Sequence, residues 1–349
     1  MECQRCLFTD KEAAISRSGQ CEYCDLHDEL EIQCLNYDWP AMLTKMQSQN
    51  KKYDCLMGIS GGYDSSAMLY MAIYKWGLNP LVIHFDNLWN TPEAESNMSV
   101  LVKELGVDFI RYSVNKSEYD DICRAFLMAG VPDADIPNDM AMAYFMMKTA
   151  SDYGIKYILN GHDFRTEGSS PREWSYMDAK YLCSIYGMVP FSFPLLTLWD
   201  QIKYALRGIT HVRPLYYVDS ESVRRELYDL GWRDYGAKHS ENIYTEFVGS
   251  YLLPRKFWID KRRTYEGALI RSGRKNKEDI NLNFYPEFSD EKIKMIEKRI
   301  GMSIDDIMSV RIQYRDKYKK YNFRKYKLFL WVLMKLGLIP LTFYRKYTK

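Results

Sequence analysis

Residues 60–66 read Ser60-Gly61-Gly62-Tyr63-Asp64-Ser65-Ser66 and stand between an apolar run, 53–59, and a stretch of helical periodicity that reaches about Trp76. A chain that passes from a buried strand through two glycines straight into a helix has few folds open to it. Glycine lets the backbone come close to an anion, and the N-terminus of the helix presents amide hydrogens and the positive end of its dipole. Ser60, Ser65 and Ser66 add hydroxyl donors to the cradle of Gly61 and Gly62. Asp64 beside phosphates makes sense where it holds Mg2+ or a lattice of donors. The turn lacks the lysine and the glycine spacing of a Walker A loop. A loop without that lysine suits the pyrophosphate of a nucleotide cleaved between its α- and β-phosphates. The plainer alternative is a Gly-Gly turn with a Ser/Asp helix cap.

The chain around the loop alternates. A helix is expected from Trp39 to Gln49 and strands at 53–59, 81–85, 107–112 and 155–159. Gly77 should close the helix after the loop. Thr91 and Pro92 open the next one and Gly106 ends it. Further helices are expected at about 117–129 and 139–153, the first turn of the latter capped by Asn138-Asp139. This rhythm predicts an α/β fold with a doubly wound parallel sheet. Ligands of such sheets bind beyond the carboxyl ends of the strands. His84 and Asp86 end the second strand, and Gly161, His162 and Asp163 follow the fourth, so these turns point with the loop into one crevice. His162 taken alone reads as a structural histidine, but in this crevice it is expected, with Asp64 and Asp163, to be catalytic, contacting the phosphates or helping to move a proton. After about residue 190 the strand rhythm fades, and 219–301 reads as mostly helical.

Cys3-x-x-Cys6 and Cys21-x-x-Cys24 are separated by fourteen residues. Each pair is a knuckle that aims two thiolates at one point, and two knuckles complete the tetrahedral sulfur shell that zinc prefers. So short a segment buries no core, so metal binding would supply its folding energy. An iron–sulfur site or a chance cluster is the alternative. Cys34, Cys55, Cys123 and Cys183 are isolated and read as small buried hydrophobes. Without a signal peptide before Cys3, the chain is expected in a reducing cytoplasm. The expected organisation is a zinc module at 1–35, a nucleotide domain at 36–218, a helical substrate or partner region at 219–310, and a distinctive segment at 311–349.

The motif at 60–66, with the Asn160-Gly161-His162-Asp163 turn, resembles the PP-loop ATP pyrophosphatase superfamily. A narrower resemblance adds the double CxxC start and Gly231-Trp232-Arg233-Asp234-Tyr235-Gly236-Ala237-Lys238-His239-Ser240-Glu241. It also takes in Leu253-Pro254-Arg255-Lys256-Phe257-Trp258-Ile259-Asp260-Lys261-Arg262-Arg263 and Leu269-Ile270-Arg271-Ser272-Gly273. Together these are similar to the N-acetyl sugar amidotransferases of bacterial surface-polysaccharide synthesis. The resemblance implies ATP cleaved to AMP and pyrophosphate, and a sugar acetamido group converted to an acetamidino group. It implies ammonia delivered by separate glutaminase and cyclase-like subunits related to those of histidine biosynthesis. On this reading Asp64, helped by Asp163, holds Mg2+, and Tyr235, Lys238, His239, Arg255, Lys261 and Arg262 meet the activated sugar. Thr264-Tyr265-Glu266 stands where the family pattern would place a histidine, which bears on the substrate more than on the chemistry.

Two other readings stay open. One is a tRNA-modifying, thiolating enzyme of the same superfamily; a net charge of +2 suits a nucleic-acid partner poorly, and none is expected. The other is a non-catalytic nucleotide-binding scaffold. Residues 311–327 are basic and aromatic and 328–344 mostly apolar, too short and interrupted to span a bilayer. Such a segment suits the inner face of an anionic membrane, or else docks on the protein's own core or on a partner subunit.

Overall fold

Five short runs lie side by side as one parallel sheet: β1 (Cys55–Gly58), β2 (Pro80–Asp86), β3 (Phe109–Ser113), β4 (Tyr157–Leu159) and β5 (Thr210–Val212), in the order β3-β2-β1-β4-β5. The chain adds strands on one side of β1 and then on the other. The order therefore reverses between β1 and β4, which opens a crevice at their carboxyl ends. The computed structural model describes all residues except 172, 173, 175, 237–239, 284–286, 314–316, 319–322, 337, 340–343, 345–347 and 349.

Side chains alternate along β1 and feed two cores. Leu56 joins Leu81, Ile83 and Ile158 on one face, beneath α5 (Lys116–Ala129) and α6 (Ile136–Asp152). Cys55, Met57 and Ile59 join Val82, Leu159 and Val212 on the other, under α3 (Tyr63–Tyr74) and α4 (Pro92–Leu105). With both faces covered, the doubly wound parallel arrangement expected from the sequence is the arrangement found. The N-terminal residues add α1 (Glu22–Leu35) and α2 (Trp39–Gln47), and the approach to β5 adds α7 (Ala179–Tyr186) and α8 (Leu198–Leu206). Beyond the sheet come α9 (Arg224–Asp229), α10 (Ile243–Glu246), a π-helical turn (Phe247–Leu252), α11 (Leu253–Lys256), α12 (Arg262–Arg271), α13 (Asp290–Ile300), α14 (Ile304–Ser309) and α15 (Lys327–Lys335).

Several elements differ from expectation. Asn138 and Asp139 lie inside α6, whose N-cap is Asp135, because Pro137 fixes the φ of the first turn ahead of them. The C-cap of α3 is Lys75, and Gly77, at φ +61°, turns the chain two residues later. α1 had no apolar stripe to announce it, since its buried positions are Tyr23, Cys24 and His27. β5 is three residues long and reads Thr-His-Val. Among the described residues no helix is long and apolar enough to cross a membrane.

Candidate functional site

The loop at 60–66 sits at the end of β1, on the crevice. Gly62 is the N-cap of α3, and no side chain caps the helix. Its first amides are therefore left to a ligand or to water. The loop is held from behind. The Gly61 carbonyl accepts from Trp232 Nε1 at 3.0 Å and from Asn97 Nδ2 at 3.1 Å. Gly61 has φ +81°, and a Cβ there would come within 2.4 Å of the Ala94 carbonyl oxygen; only glycine lets the loop press so close on α4. The Gly62 amide turns the opposite way and donates to Ser60 Oγ at 3.3 Å. Ser60 and Ser65 Oγ lie 3.3 Å apart, and Ser66 Oγ donates back to the Gly62 carbonyl at 2.7 Å. The result is a rigid turn lined by amides and hydroxyls.

The turn after β4 closes the other side. A Cβ at Gly161 would lie 3.7 Å from the Ser65 nitrogen, so its backbone rests on the start of α3. Asp163 is buried, and its carboxyl is pushed above the usual range by that burial, the negative charge of Asp64 adding to the effect. Two carboxyls within each other's electrostatic reach at the switch point suit a hard divalent cation. His162 is committed to the fold: Nε2 donates to the Gly168 carbonyl at 2.9 Å and Nδ1 accepts from the Tyr216 hydroxyl at 3.2 Å. In this arrangement it positions the turn.

His84 and Asp86 are likewise tied into the scaffold. His84 is buried, which lowers its pKa, and the neutral ring donates from Nδ1 to the Ile59 carbonyl at 2.8 Å and accepts from Asn90 at Nε2 at 2.7 Å. It thus joins β2 to the root of the loop. Asp86 accepts from Leu88 N at 2.8 Å and pairs with Arg111 at 3.0 Å. His84, Asp86 and Glu95 lie close enough to hold a metal ion, but Arg111 already neutralises both carboxylates, reaching Glu95 at 2.6 Å.

The segment beyond residue 230 completes the site. Residues 241–243 are laid along 89–91: Thr91 N donates to the Glu241 carbonyl at 2.9 Å, Ile243 N to the Trp89 carbonyl at 2.8 Å, and Asn242 to Asn87 at 2.7 Å. Tyr235 donates to Glu241 at 3.4 Å, and a Cβ on Gly62 would meet its hydroxyl at 2.9 Å. Burial, then Glu241, raise the Tyr235 pKa, so the phenol stays protonated over the loop. Asp135 at the head of α6 is pushed up to about 7 by desolvation and by Asp139, with Lys261 and Thr245 opposing. Sequence reasoning missed Asn97, Asp135, Trp232 and Glu241 as site residues. The last two lie in a segment it quoted, but their contacts span the whole chain.

Of the other expected sugar-binding residues, Lys261 reaches this cluster. Arg262 pairs with Asp260 at 2.7 Å and donates to the Leu282 carbonyl at 2.8 Å. Arg255 is exposed, donating to the Ser250 carbonyl at 3.1 Å and lying 4.3 Å from the Tyr251 ring. Lys238 and His239 lie outside the described residues.

Cys3, Cys6, Cys21 and Cys24 are all fully buried and converge. Their sulfurs are 3.7 Å (Cys3 to Cys24), 3.6 Å (Cys6 to Cys21) and 3.6 Å (Cys21 to Cys24) apart. Metal–sulfur bonds of about 2.3 Å in a tetrahedron place sulfurs about 3.8 Å apart, close to what is found. Hydrogen bonds from Cys21 and Cys24 push the Cys6 thiol down, and the charge of Arg271 adds to it. Arg271 is itself buried, with Nε and Nη1 lacking any partner among the described residues. A buried guanidinium beside four thiols fits a cluster that carries net negative charge once metal is bound. The module is bolted to the site: Glu31 of α1 pairs with Arg165 of the β4 turn at 2.5 Å, and Arg5 donates to the Arg271 carbonyl at 2.9 Å. Of the isolated cysteines, Cys55 and Cys123 are buried, whereas Cys34 and Cys183 are partly so.

Residues 241–336 match the family model of the C-terminal domain of WbpG-like LPS biosynthesis proteins. The segments 253–263 and 269–273, which carry the resemblance to the N-acetyl sugar amidotransferases, fall inside the match, and it supports that resemblance. An uncharacterized protein of Methanocaldococcus jannaschii is 25% identical over 178 residues, 50% of this chain and 63% of that protein. The match thus spans under two thirds of the relative's length. Among solved structures, NMN synthetase of Francisella tularensis aligns at 14% identity and a TM-score of 0.32, over 75% of this chain and 99% of that one. The U34-tRNA thiolase NcsA of Methanococcus maripaludis, solved with its iron–sulfur cluster, gives 14% and 0.32 over 92% and 99%. The molecule is a five-stranded parallel sheet joined to a segment, 241–336, that is similar to the C-terminal domain of WbpG-like LPS biosynthesis proteins.

Proposed function

We propose that this chain is an ATP-dependent amidotransferase that converts an N-acetyl group of an activated sugar into an acetamidino group during synthesis of a bacterial surface polysaccharide. The observation that carries the reading is the uncapped start of α3 at the switch point, overhung by Tyr235 and Glu241 where the WbpG-like domain begins. The acetamido oxygen attacks the α-phosphorus of ATP and pyrophosphate departs. Ammonia then adds to the imidate carbon, and AMP leaves with the former acetamido oxygen. The amides of the α3 start and the hydroxyls of Ser60, Ser65 and Ser66 hold pyrophosphate. Asp64 and Asp163 fit Mg2+, which would offset phosphate charge, and the four cysteines fit structural zinc. To Asp135, with its raised pKa, we assign the role of taking a proton from the attacking nitrogen. Ammonia comes from a glutaminase working with a cyclase-like subunit.

The test is release of AMP and pyrophosphate from ATP, with an ammonium salt present, across a panel of N-acetylated nucleotide sugars and bulk tRNA. Sugar-dependent release, with a product lighter by the difference between oxygen and NH, supports the reading. Release with tRNA alone would overturn it. Asp64→Asn should lower the sugar-dependent rate by at least about 100-fold; an unchanged rate would remove Asp64 from the site.

A further inference from the structure

Residues 311–349 hold 12 Lys and Arg against a single Asp, whereas the other 310 residues hold 36 against 45 Asp and Glu. The excess positive charge of the molecule is gathered in one segment. Within it a 3-10 turn, Arg324–Tyr326, leads into α15, a helix with apolar side chains on every side. Leu330 is buried, and Leu333 and Met334 pack on the same core. One side of α15 is therefore docked on the protein.

The other side is not. At about 100° per residue, Leu328, Phe329, Trp331 and Val332 share an arc of about 160° opposite Leu330. They are 75%, 60%, 43% and 41% exposed, and Leu336 just past the helix is 67% exposed. A helix apolar all round belongs in apolar surroundings on every side, and this one keeps half its surface in water. The face is ringed with cations. Lys335 Nζ lies 5.7 Å from the Trp331 ring, and Arg324, Lys325 and Lys327 are exposed at the start of the helix.

We infer that this face of α15 rests on the surface of an anionic lipid bilayer, with the helix parallel to the membrane and docked through Leu330 to the body of the protein. Nine residues of helix span about 14 Å, far short of a bilayer. Leu328, Phe329, Trp331 and Val332 enter the interfacial layer, and the surrounding lysines and arginines meet the headgroups. A second copy is a poor occupant, because a symmetric contact through α15 would set one basic segment against another. The inference is independent of the proposed reaction, in which none of these residues takes part.

The experiment is co-sedimentation of the full chain with vesicles of phosphatidylglycerol and phosphatidylethanolamine, or of phosphatidylcholine alone. The protein should sediment with the anionic vesicles, stay in solution with the neutral ones, and be released as salt is raised. Leu328→Glu/Trp331→Glu and Lys325→Glu/Lys327→Glu should each lower binding at least about tenfold, with unchanged thermal midpoints because these side chains are exposed. A wild-type chain that ignores anionic vesicles would overturn the inference. So would equal binding to neutral vesicles, or full binding by both double variants. A dimer in light scattering that Leu328→Glu/Trp331→Glu turns to monomer would assign the face to a second copy instead.

Discussion

Gly61 carries two constraints at once, a positive φ and a backbone pressed on α4, so a methyl group there meets strain and a clash together. Gly61→Ala should destabilise the protein by about 1–3 kcal/mol and weaken ATP binding, read from a urea midpoint and a nucleotide titration. An unchanged midpoint would mean that the loop does not hold the conformation described. Asp135 gives a prediction of the opposite kind. Its folded-state pKa is raised from 3.8 to about 7, so the unfolded chain ionises it first. The resulting stability is full below about pH 4 and is lost as pH rises through about 7. Asp135→Asn removes that loss, so the variant should gain on the wild type between about pH 5 and pH 7.5 in urea unfolding; parallel curves would contradict the raised pKa. The two residues differ in how openly the sequence announces them. Gly61 stands in a motif whose spacing has a physical reason. Asp135 is one acid before a proline, and only Asp139, Lys261 and Thr245 closing round it give it chemistry.

At the scale of elements, the strand–helix alternation was readable because β1 and β2 are short apolar runs buried on both faces, and because Thr91-Pro92 and Gly106 frame α4 by standard capping. β5 and α1 escaped for the converse reason: β5 reads Thr-His-Val with one buried residue, and α1 buries Tyr23, Cys24 and His27 where an apolar stripe would be. The cysteine spacing did show that Cys3, Cys6, Cys21 and Cys24 converge. It did not show that Arg271, from α12, closes the cluster, nor that Glu31 links it to the turn that carries Asp163. Replacing that guanidinium tests the fit of the metal site. Arg271→Met should weaken zinc retention against a chelator by about 10–100-fold, the usual effect of losing an outer partner of a metal site. Zinc content and release rate measure it. Retention equal to that of the wild type would mean that the unpartnered nitrogens of Arg271 serve something else.

At the scale of the molecule, the loop and the chain beyond residue 230 are bound together, because residues 241–243 run along 89–91 and Trp232 holds Gly61. This joining was only partly legible. The sequence displayed the PP-loop motif and the segments of the C-terminal domain separately, while the hydrogen bonds that unite them connect positions far apart in the chain. His84, Asp86 and His162 show the limit most clearly: the sequence placed them at the strand ends but did not show that they bond to the Ile59 carbonyl, Arg111 and the Gly168 carbonyl. The account requires that the acetamido oxygen itself attack ATP. A sugar substrate carrying heavy oxygen in its acetyl carbonyl, turned over with ATP and ammonium, tests this most directly by mass spectrometry of the products. The account predicts the label in AMP and none in the sugar. Label kept in the sugar, or lost to water with AMP unlabelled, would contradict it.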